Sequence, residues 1–253
     1  MTLTRRLSSA SIGAVLATAA MTTRADEVVV AVAANFAAPL TRIGEGFTAA
    51  TGHTLKVSVG ATGKFYAQIV AGAPFEVLIA ADDETPQKLV DEGRAVAGSA
   101  FTYAIGKLVL WSAQPGLVDD QGAVLASGKF SHLALANPKL APYGQAATEV
   151  LKSRGLTNAL ASKLVTGESI AQTYQFIATG NAELGFVALS QVATPGKPAT
   201  GSYWLVPASL YGEIRQNAVL LKTGEKNAAA KELMSYLRGP AAKAVIEAYG
   251  YGH

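Results

Sequence analysis

Strand-like apolar runs alternate with helix-like amphipathic stretches along most of the chain. Residues 28–33 form a short apolar run, and residues 36–47 then place apolar side chains at helical spacing. Residues 55–59 alternate as a strand does, and residues 77–80 form a buried strand pattern after a second helical stretch. Because this order places helices on the faces of a mostly parallel sheet, the chain is predicted to have an α/β fold.

A second α/β set follows the first. Its predicted strands are 108–111, 133–136 and 184–188, and one more strand is predicted later in the chain, at 218–221. Two predicted helices of this set follow Gly144 and Ser169. Two further helices, near 226–238 and 240–249, are predicted to end the chain. The 253 residues are enough for two lobes, each with its own core.

The two sets predict a two-lobed architecture, in which each lobe is a mostly parallel sheet flanked by helices. Lobe I is expected to comprise residues 26–106 and 214–253, and lobe II residues 107–213. The chain is expected to cross between the lobes near 104–107 and to return near 212–217. Ligands in such architectures bind between the lobes, outside the carboxyl ends of the strands.

The N-terminus has the layout of a secretory signal peptide. Arg5 and Arg6 precede an apolar, alanine-rich stretch at 10–21, and Thr23 and Ala25 place small residues at a cleavage site. The apolar stretch is too short for a membrane-spanning helix. We therefore expect residues 1–25 to be a cleaved signal peptide, with cleavage after Ala20 fitting nearly as well as after Ala25, and the mature protein to be soluble and exported. The chain has no cysteine, so a lipid anchor on an N-terminal cysteine is excluded.

The distribution of charge argues against a polyanionic partner. Three of the 21 basic residues lie in the predicted leader, so the rest of the chain has as many basic as acidic residues. A neutral body gives no electrostatic reason to expect binding to nucleic acid or to an anionic membrane. No nucleic-acid partner is expected.

The sequence carries no recognisable catalytic or metal-binding motif. HExxH, GxSxG and SxxK are absent, and the three histidines, His53, His132 and His253, lie far apart without a second ligand at metal-binding spacing. The GATGK stretch resembles a phosphate loop but has Ser58 where that loop needs its first glycine. No nucleophile is paired with a base, so the protein is not expected to be an enzyme.

Several predicted helix starts directly follow predicted strands and carry small or hydroxylated residues. Asn35 stands at an expected N-cap, Thr62 and Gly63 stand at the second junction, and Tyr143 lies just before a third helix. Ser169 and Gln172 have capping-box spacing, which leaves the Ile170 N–H at a helix start. Each start is either an ordinary cap or an anion site, because free N–H groups and the positive end of the helix dipole favour anions.

Several motifs together carry a resemblance to a known family. The most specific is GATGKFYAQI at 60–69. The other stretches that carry it are 30–36, 71–74, 79–82, 184–187, 237–240 and 249–250. On these motifs the chain from Asp26 onward resembles the periplasmic molybdate-binding proteins, which are the substrate-binding components of molybdate ABC transporters.

The resemblance implies a type II periplasmic-binding-protein fold whose two lobes close over a tetrahedral oxyanion. Carried over by motif, the ligand contacts fall on five residues, which touch the oxygens and not the metal: Asn35, Thr62, Gly63, Tyr143 and Ile170, the last through its backbone N–H. Many members have Ser at the Asn35 position and Tyr at the Ala188 position. Where Ala188 stands, a Tyr at the Tyr143 position supplies the phenol in one branch of the family.

The resemblance also implies the ligand and the partners. The transported ligand would be molybdate or tungstate, no cofactor would be needed, and the partner would be the membrane permease of an ABC transporter, with the receptor itself a monomer. Neutral hydrogen-bond donors would select against hydrogen phosphate by its proton and against the smaller sulfate by size. Two alternatives stay open: a receptor of the same fold for another small anion, such as sulfate or an organic carboxylate, and a secreted hydrolase.

Overall fold

Two five-stranded sheets organise the part of the chain that the computed structural model describes, residues 25–196 and 200–252. The predicted signal peptide, apart from Ala25, lies outside these residues. The strands are β1 (Glu27–Ala33), β2 (Thr54–Gly60), β3 (Val77–Ile79), β4 (Phe101–Gly106), β5 (Leu108–Ser112), β6 (Leu133–Ala136), β7 (Leu164–Gly167), β8 (Leu184–Ala188), β9 (Ser202–Leu205) and β10 (Ile214–Leu220).

Helices lie between the strands of both sheets. They are α1 (Ala37–Thr51), α2 (Thr62–Val70), α3 (Glu84–Asp91), α4 (Val124–Ser127), α5 (Pro142–Ser153), α6 (Thr157–Leu160), α7 (Ile170–Ala178), α8 (Leu189–Val192), α9 (Ala228–Arg238) and α10 (Pro240–Ala248). Short 3-10 turns occur at Ala34–Phe36, Ala161–Lys163, Ala208–Leu210 and Lys222–Gly224.

The two sheets have the same plan. The first has the order β2-β1-β3-β10-β4, with β1 parallel to both neighbours and β10 antiparallel to both of its neighbours. The second has the order β7-β6-β8-β5-β9, with β6 parallel to both neighbours and β5 antiparallel to both. Each sheet therefore has one reversed strand among strands that otherwise run the same way, and the predicted mostly parallel α/β architecture is confirmed.

Apolar side chains cover both faces of each sheet. In β1, Val30 and Val32 pack with α1, α9 and α10, whereas Ala31 points to the opposite face and packs near Phe65 of α2. In β5, Leu108 and Val109 likewise belong to opposite cores of the second sheet. Because successive side chains of a strand point to opposite faces, such double burial explains why these strands are continuous apolar runs in the sequence.

The chain passes directly between the sheets at two places. β4 ends at Gly106 in the first sheet and β5 begins at Leu108 in the second, so Lys107 is the only residue between them. The return runs from Leu205 at the end of β9 to Ile214 at the start of β10.

Among the described helices, none has the length and apolar composition needed to cross a membrane.

Candidate functional site

A small pocket lies between the two sheets. Its wall includes Asn35 and Thr62 from the first sheet's side and Tyr143 and Ile170 from the second sheet's side. Each of these residues follows the carboxyl end of a strand: β1, β2, β6 and β7 respectively. Because strands that run the same way end at one edge of a sheet, their following segments converge there. No described residue that lines the pocket has a charged side chain.

Thr62 is the first residue of α2 and is almost fully buried. Its Oγ1 accepts a hydrogen bond from the Ala81 N–H at 3.0 Å, which fixes the side chain. A hydroxyl that accepts one hydrogen bond still has a proton to donate. The backbone N–H of Thr62 lies in the first turn of α2, where a helix supplies no carbonyl partner of its own. Thr62 therefore offers the pocket an oriented O–H group at a helix start.

Ile170 is the first residue of α7, and its N-cap is Ser169 as predicted. The Ser169 Oγ accepts from the Gln172 N–H at 3.3 Å, so the cap satisfies that N–H and not the one on Ile170. The Ile170 carbonyl accepts from Gln191 Nε2 at 3.1 Å, which ties the start of the helix to α8. The first N–H of α7 is thus held at the pocket wall with the positive end of the helix dipole behind it.

Tyr143 is the second residue of α5 and its side chain is fully buried. Its hydroxyl oxygen accepts a hydrogen bond from Gln216 Nε2 at 2.9 Å. Burial, helped by the neighbouring Tyr251 phenol, raises the pKa of Tyr143 well above its ordinary value. The phenol therefore keeps its proton at neutral pH and is a hydrogen-bond donor in the pocket wall.

Asn35 lines the same pocket, but its predicted role as an N-cap is wrong. It lies in the 3-10 turn before α1, whose N-cap is Phe36. The Asn35 Nδ2 donates to Gln216 Oε1 at 2.8 Å and to the Tyr251 hydroxyl at 3.0 Å, so both amide hydrogens are used. Its Oδ1 is buried and has no hydrogen-bond partner among the described residues. The Asn35 side chain therefore keeps an unpaired acceptor and no free donor, contrary to the expectation that it donates to an anion.

The structure also corrects the expected donor role of Gly63. Its N–H donates to the Leu140 carbonyl at 3.0 Å, so this N–H joins two segments from opposite sides of the pocket. A side chain here would place its Cβ 3.1 Å from the Leu140 Cα, so glycine permits the approach. Gly63 does not line the pocket that the other four residues share.

Sequence reasoning missed Gln216, Tyr103 and Tyr251, which support the pocket from beneath. All three are buried, and each forms a hydrogen bond to another of them or to Asn35 or Tyr143. Gln216 lies on β10 and points to the same inner face as Ile214 and Ala218. A polar residue at an inward position of a strand was the available signal, but the predicted strand began only at Ala218.

Several polar residues outside the pocket wall have local partners. Asp82 Oδ1 accepts from the Thr85 N–H at 2.8 Å at the start of α3, and burial raises the pKa of Asp82 to about 6. His53 accepts from the Asp26 N–H at 3.0 Å. Lys64 is half-exposed and pairs with Glu168 at 2.8 Å. Within the described residues no cluster of histidine, aspartate and glutamate could hold a metal ion. His253 lies outside them.

Comparisons with known proteins show the family to which the chain belongs. A family model for the bacterial extracellular solute-binding proteins matches residues 28–252. The chain is 63% identical over 229 residues to the molybdate-binding protein ModA of Azotobacter vinelandii, covering 90% of this chain and 91% of that protein. It is 55% identical over 232 residues to the molybdate-binding protein ModA of Rhodobacter capsulatus, covering 92% of this chain and 90% of that protein.

A solved structure has the same fold. The Azotobacter vinelandii periplasmic molybdate-binding protein superimposes with a TM-score of 0.87 at 46% identity, covering 89% of this chain and 99% of that one. The expected two-lobed type II periplasmic-binding-protein fold is thereby confirmed. The chain belongs to the bacterial extracellular solute-binding proteins, in the branch of the ModA molybdate-binding proteins.

Proposed function

We propose that this protein binds molybdate, and tungstate comparably, in the pocket between the two sheets. The observation that carries the proposal is the convergence of uncharged hydrogen-bond donors from both sheets on one buried, uncharged wall. The donors are the Thr62 hydroxyl, the Tyr143 phenol and the Ile170 N–H. At Asn35 the proposed contact is the backbone N–H, because both amide hydrogens are committed elsewhere.

Neutral donors are sufficient for such binding. Hydrogen bonds to a charged group each contribute about 1.5–3 kcal/mol, so four such bonds give a gross gain of roughly 6–12 kcal/mol. Part of this is lost to ordering and closure, and micromolar affinity corresponds to about 8.2 kcal/mol. A buried arginine is not needed. The smaller sulfate would leave some of these donors out of reach, whereas tungstate has the size and charge of molybdate.

We further propose that the receptor acts in the periplasm and without catalysis. Residues 1–25 would be removed on export, and the mature monomer would deliver its ligand to the membrane permease of an ABC transporter. Residues 26–106 and 214–253 would form lobe I and residues 107–213 lobe II. This division follows the passage of the chain at Lys107 and the return between β9 and β10.

Titration calorimetry of the purified protein tests the proposed ligand. We expect molybdate and tungstate each to saturate one site with similar affinity, and sulfate and phosphate to give no saturable heat at the same concentrations. Saturation by sulfate or phosphate with no response to molybdate would reject the proposal in favour of a receptor for another anion.

A further inference from the structure

The side-chain amide of Gln216 joins the two walls of the pocket from beneath. Gln216 lies on β10 and is fully buried. Its Nε2 donates to the Tyr143 hydroxyl at 2.9 Å, on the second sheet's side. Its Oε1 accepts from Asn35 Nδ2 at 2.8 Å and from the Tyr103 hydroxyl at 2.9 Å, both on the first sheet's side. One amide therefore links the residues of opposite walls.

These bonds give the Tyr143 phenol a direction. Because the Gln216 Oε1 faces the Asn35 amide hydrogens, the Nε2 is the group that meets Tyr143, and it only donates. The Tyr143 oxygen must therefore accept, and its single proton is not spent on Gln216. That proton remains for a ligand in the pocket or for the neighbouring Tyr251 phenol, which also interacts with Tyr143.

The backbone beside this contact leaves room for it. Gly106 ends β4, and a Cβ at that position would lie against the Tyr143 hydroxyl and 2.5 Å from Gln216 Nε2. Real Cβ atoms essentially never come so close to another heavy atom. The close approach of Gln216 and Tyr143 thus depends on a glycine at the point where the chain leaves the first sheet.

We propose that Gln216 is a positioning residue for anion binding, which holds the Tyr143 phenol as a hydrogen-bond donor to the bound oxyanion. It does not touch the ligand itself, since it does not line the pocket. The inference rests on the proposed function, because it assigns Gln216 a role in the same site. It explains why a polar residue occupies an inward position of β10.

A double-mutant cycle on the full mature protein tests the coupling, with molybdate as the probe in titration calorimetry. We expect Gln216→Met and Tyr143→Phe each to weaken binding about tenfold, the worth of one hydrogen bond to a charged group. In the Tyr143→Phe background, Gln216→Met should weaken binding no further. A tenfold loss that persists in that background would show a structural effect and overturn the proposal. Gln87→Met makes the same change on the exposed side of α3 and should bind like wild type.

The variant Gln216→Glu, measured in the wild-type and Tyr143→Phe backgrounds, supplies a second readout: the part of its pH dependence that Tyr143→Phe removes reports on the phenol, and the part that persists reports on the added charge. A carboxylate in place of the amide accepts a hydrogen bond from the Tyr143 hydroxyl, which takes that donor away from the ligand, and it adds a like charge near the anion. A protonated carboxyl can still donate a hydrogen bond to the Tyr143 oxygen, as the amide does. We expect affinity close to wild type near pH 5.5 and a steep loss by pH 8, while wild type changes little. A flat profile parallel to wild type would contradict the proposal.

Failure of the proposed function gives a different result. If wild type is saturated by another oxyanion and not by molybdate, the proposed ligand fails, and the same cycle is measured with the oxyanion that binds. If no oxyanion binds wild type, both proposals fall. Thermal unfolding of each variant confirms that it is folded at the titration temperature.

Discussion

At the scale of single residues, the site depends on which hydrogen atoms are already committed. The Thr62 hydroxyl accepts from Ala81 and keeps a proton, whereas the Gly63 N–H is given to Leu140 and the Asn35 amide to Gln216 and Tyr251. Residues that are adjacent in the motif therefore have different roles. A buried donor without a partner is costly, so each commitment removes a residue from the set that can bind an anion.

Thr62→Ala should weaken molybdate binding by about 1–2 kcal/mol, because it removes one hydrogen bond to a charged group. Thr62→Ser keeps the hydroxyl and should bind nearly as wild type does. Calorimetry on both variants checks this expectation. Equal affinity of Thr62→Ala and wild type would place the ligand away from this hydroxyl.

Asp82 gives a pH dependence of stability at the residue scale. Burial raises its pKa from 3.8 to about 6 in the folded protein, so the folded state holds this proton more tightly than the unfolded chain does. The contribution of Asp82 to the free energy of unfolding is therefore fully present below about pH 4 and is lost as the pH rises through about 6.

Asp82→Asn removes this titration while keeping an acceptor for the Thr85 N–H. When the pH is raised from 4.5 to 7.5, the free energy of unfolding of the variant should increase relative to that of wild type by roughly 1–2 kcal/mol. Urea unfolding at the two pH values measures the change. Parallel stability curves for the two proteins would show that the carboxyl is not strained by burial.

At the scale of secondary structure, most strands follow from the sequence, but three of the four edge strands, β4, β7 and β9, do not. β1, β5, β6 and β8 are predicted because burial on both faces makes them continuous apolar runs. β9 is missed because an edge strand is half-exposed, with Trp204 as its buried side chain. β10 is found only from Ala218 because polar side chains occupy its first half, and one of these is Gln216.

An ion pair links two elements across the pocket. Lys64 in the first turn of α2 pairs with Glu168 in the loop before α7, at 2.8 Å, and both side chains are about half-exposed. Surface pairs of this kind contribute at most about 1 kcal/mol. Since α2 and α7 supply Thr62 and Ile170, the pair joins two helix starts that line the pocket.

The charge-neutral double variant Lys64→Met/Glu168→Gln should release molybdate roughly two- to five-fold faster, as expected for loss of a weak surface pair. Stopped-flow displacement of bound molybdate by excess tungstate measures the rate. The surface pair of Arg42 and Glu45 within α1 does not line the pocket and provides a matched control, because the double variant Arg42→Met/Glu45→Gln should leave the rate unchanged. Identical release rates for the Lys64→Met/Glu168→Gln variant and wild type would show that this ion pair does not help to retain the ligand.

At the scale of the whole molecule, the sequence predicts the two-sheet architecture and the region of the site, but it does not predict the hydrogen bonds within the site. Thr62, Tyr143 and Ile170 are identified by motif, and each lies at the pocket. The hydrogen bonds that Gly63 and Asn35 donate were not predictable, because their acceptors on Leu140 and Gln216 are brought near only by the tertiary fold. Such contacts between distant segments leave no local pattern in a sequence.

The most direct test of the account is the position of a bound tungstate ion in crystals of the mature protein, found by anomalous scattering at a tungsten edge. We expect one strong peak between the two sheets, with ligand oxygens within hydrogen-bond distance of Thr62 Oγ1, the Tyr143 hydroxyl and the Ile170 N–H. A single strong peak elsewhere, or one coordinated by charged side chains, would contradict binding by neutral donors in this pocket.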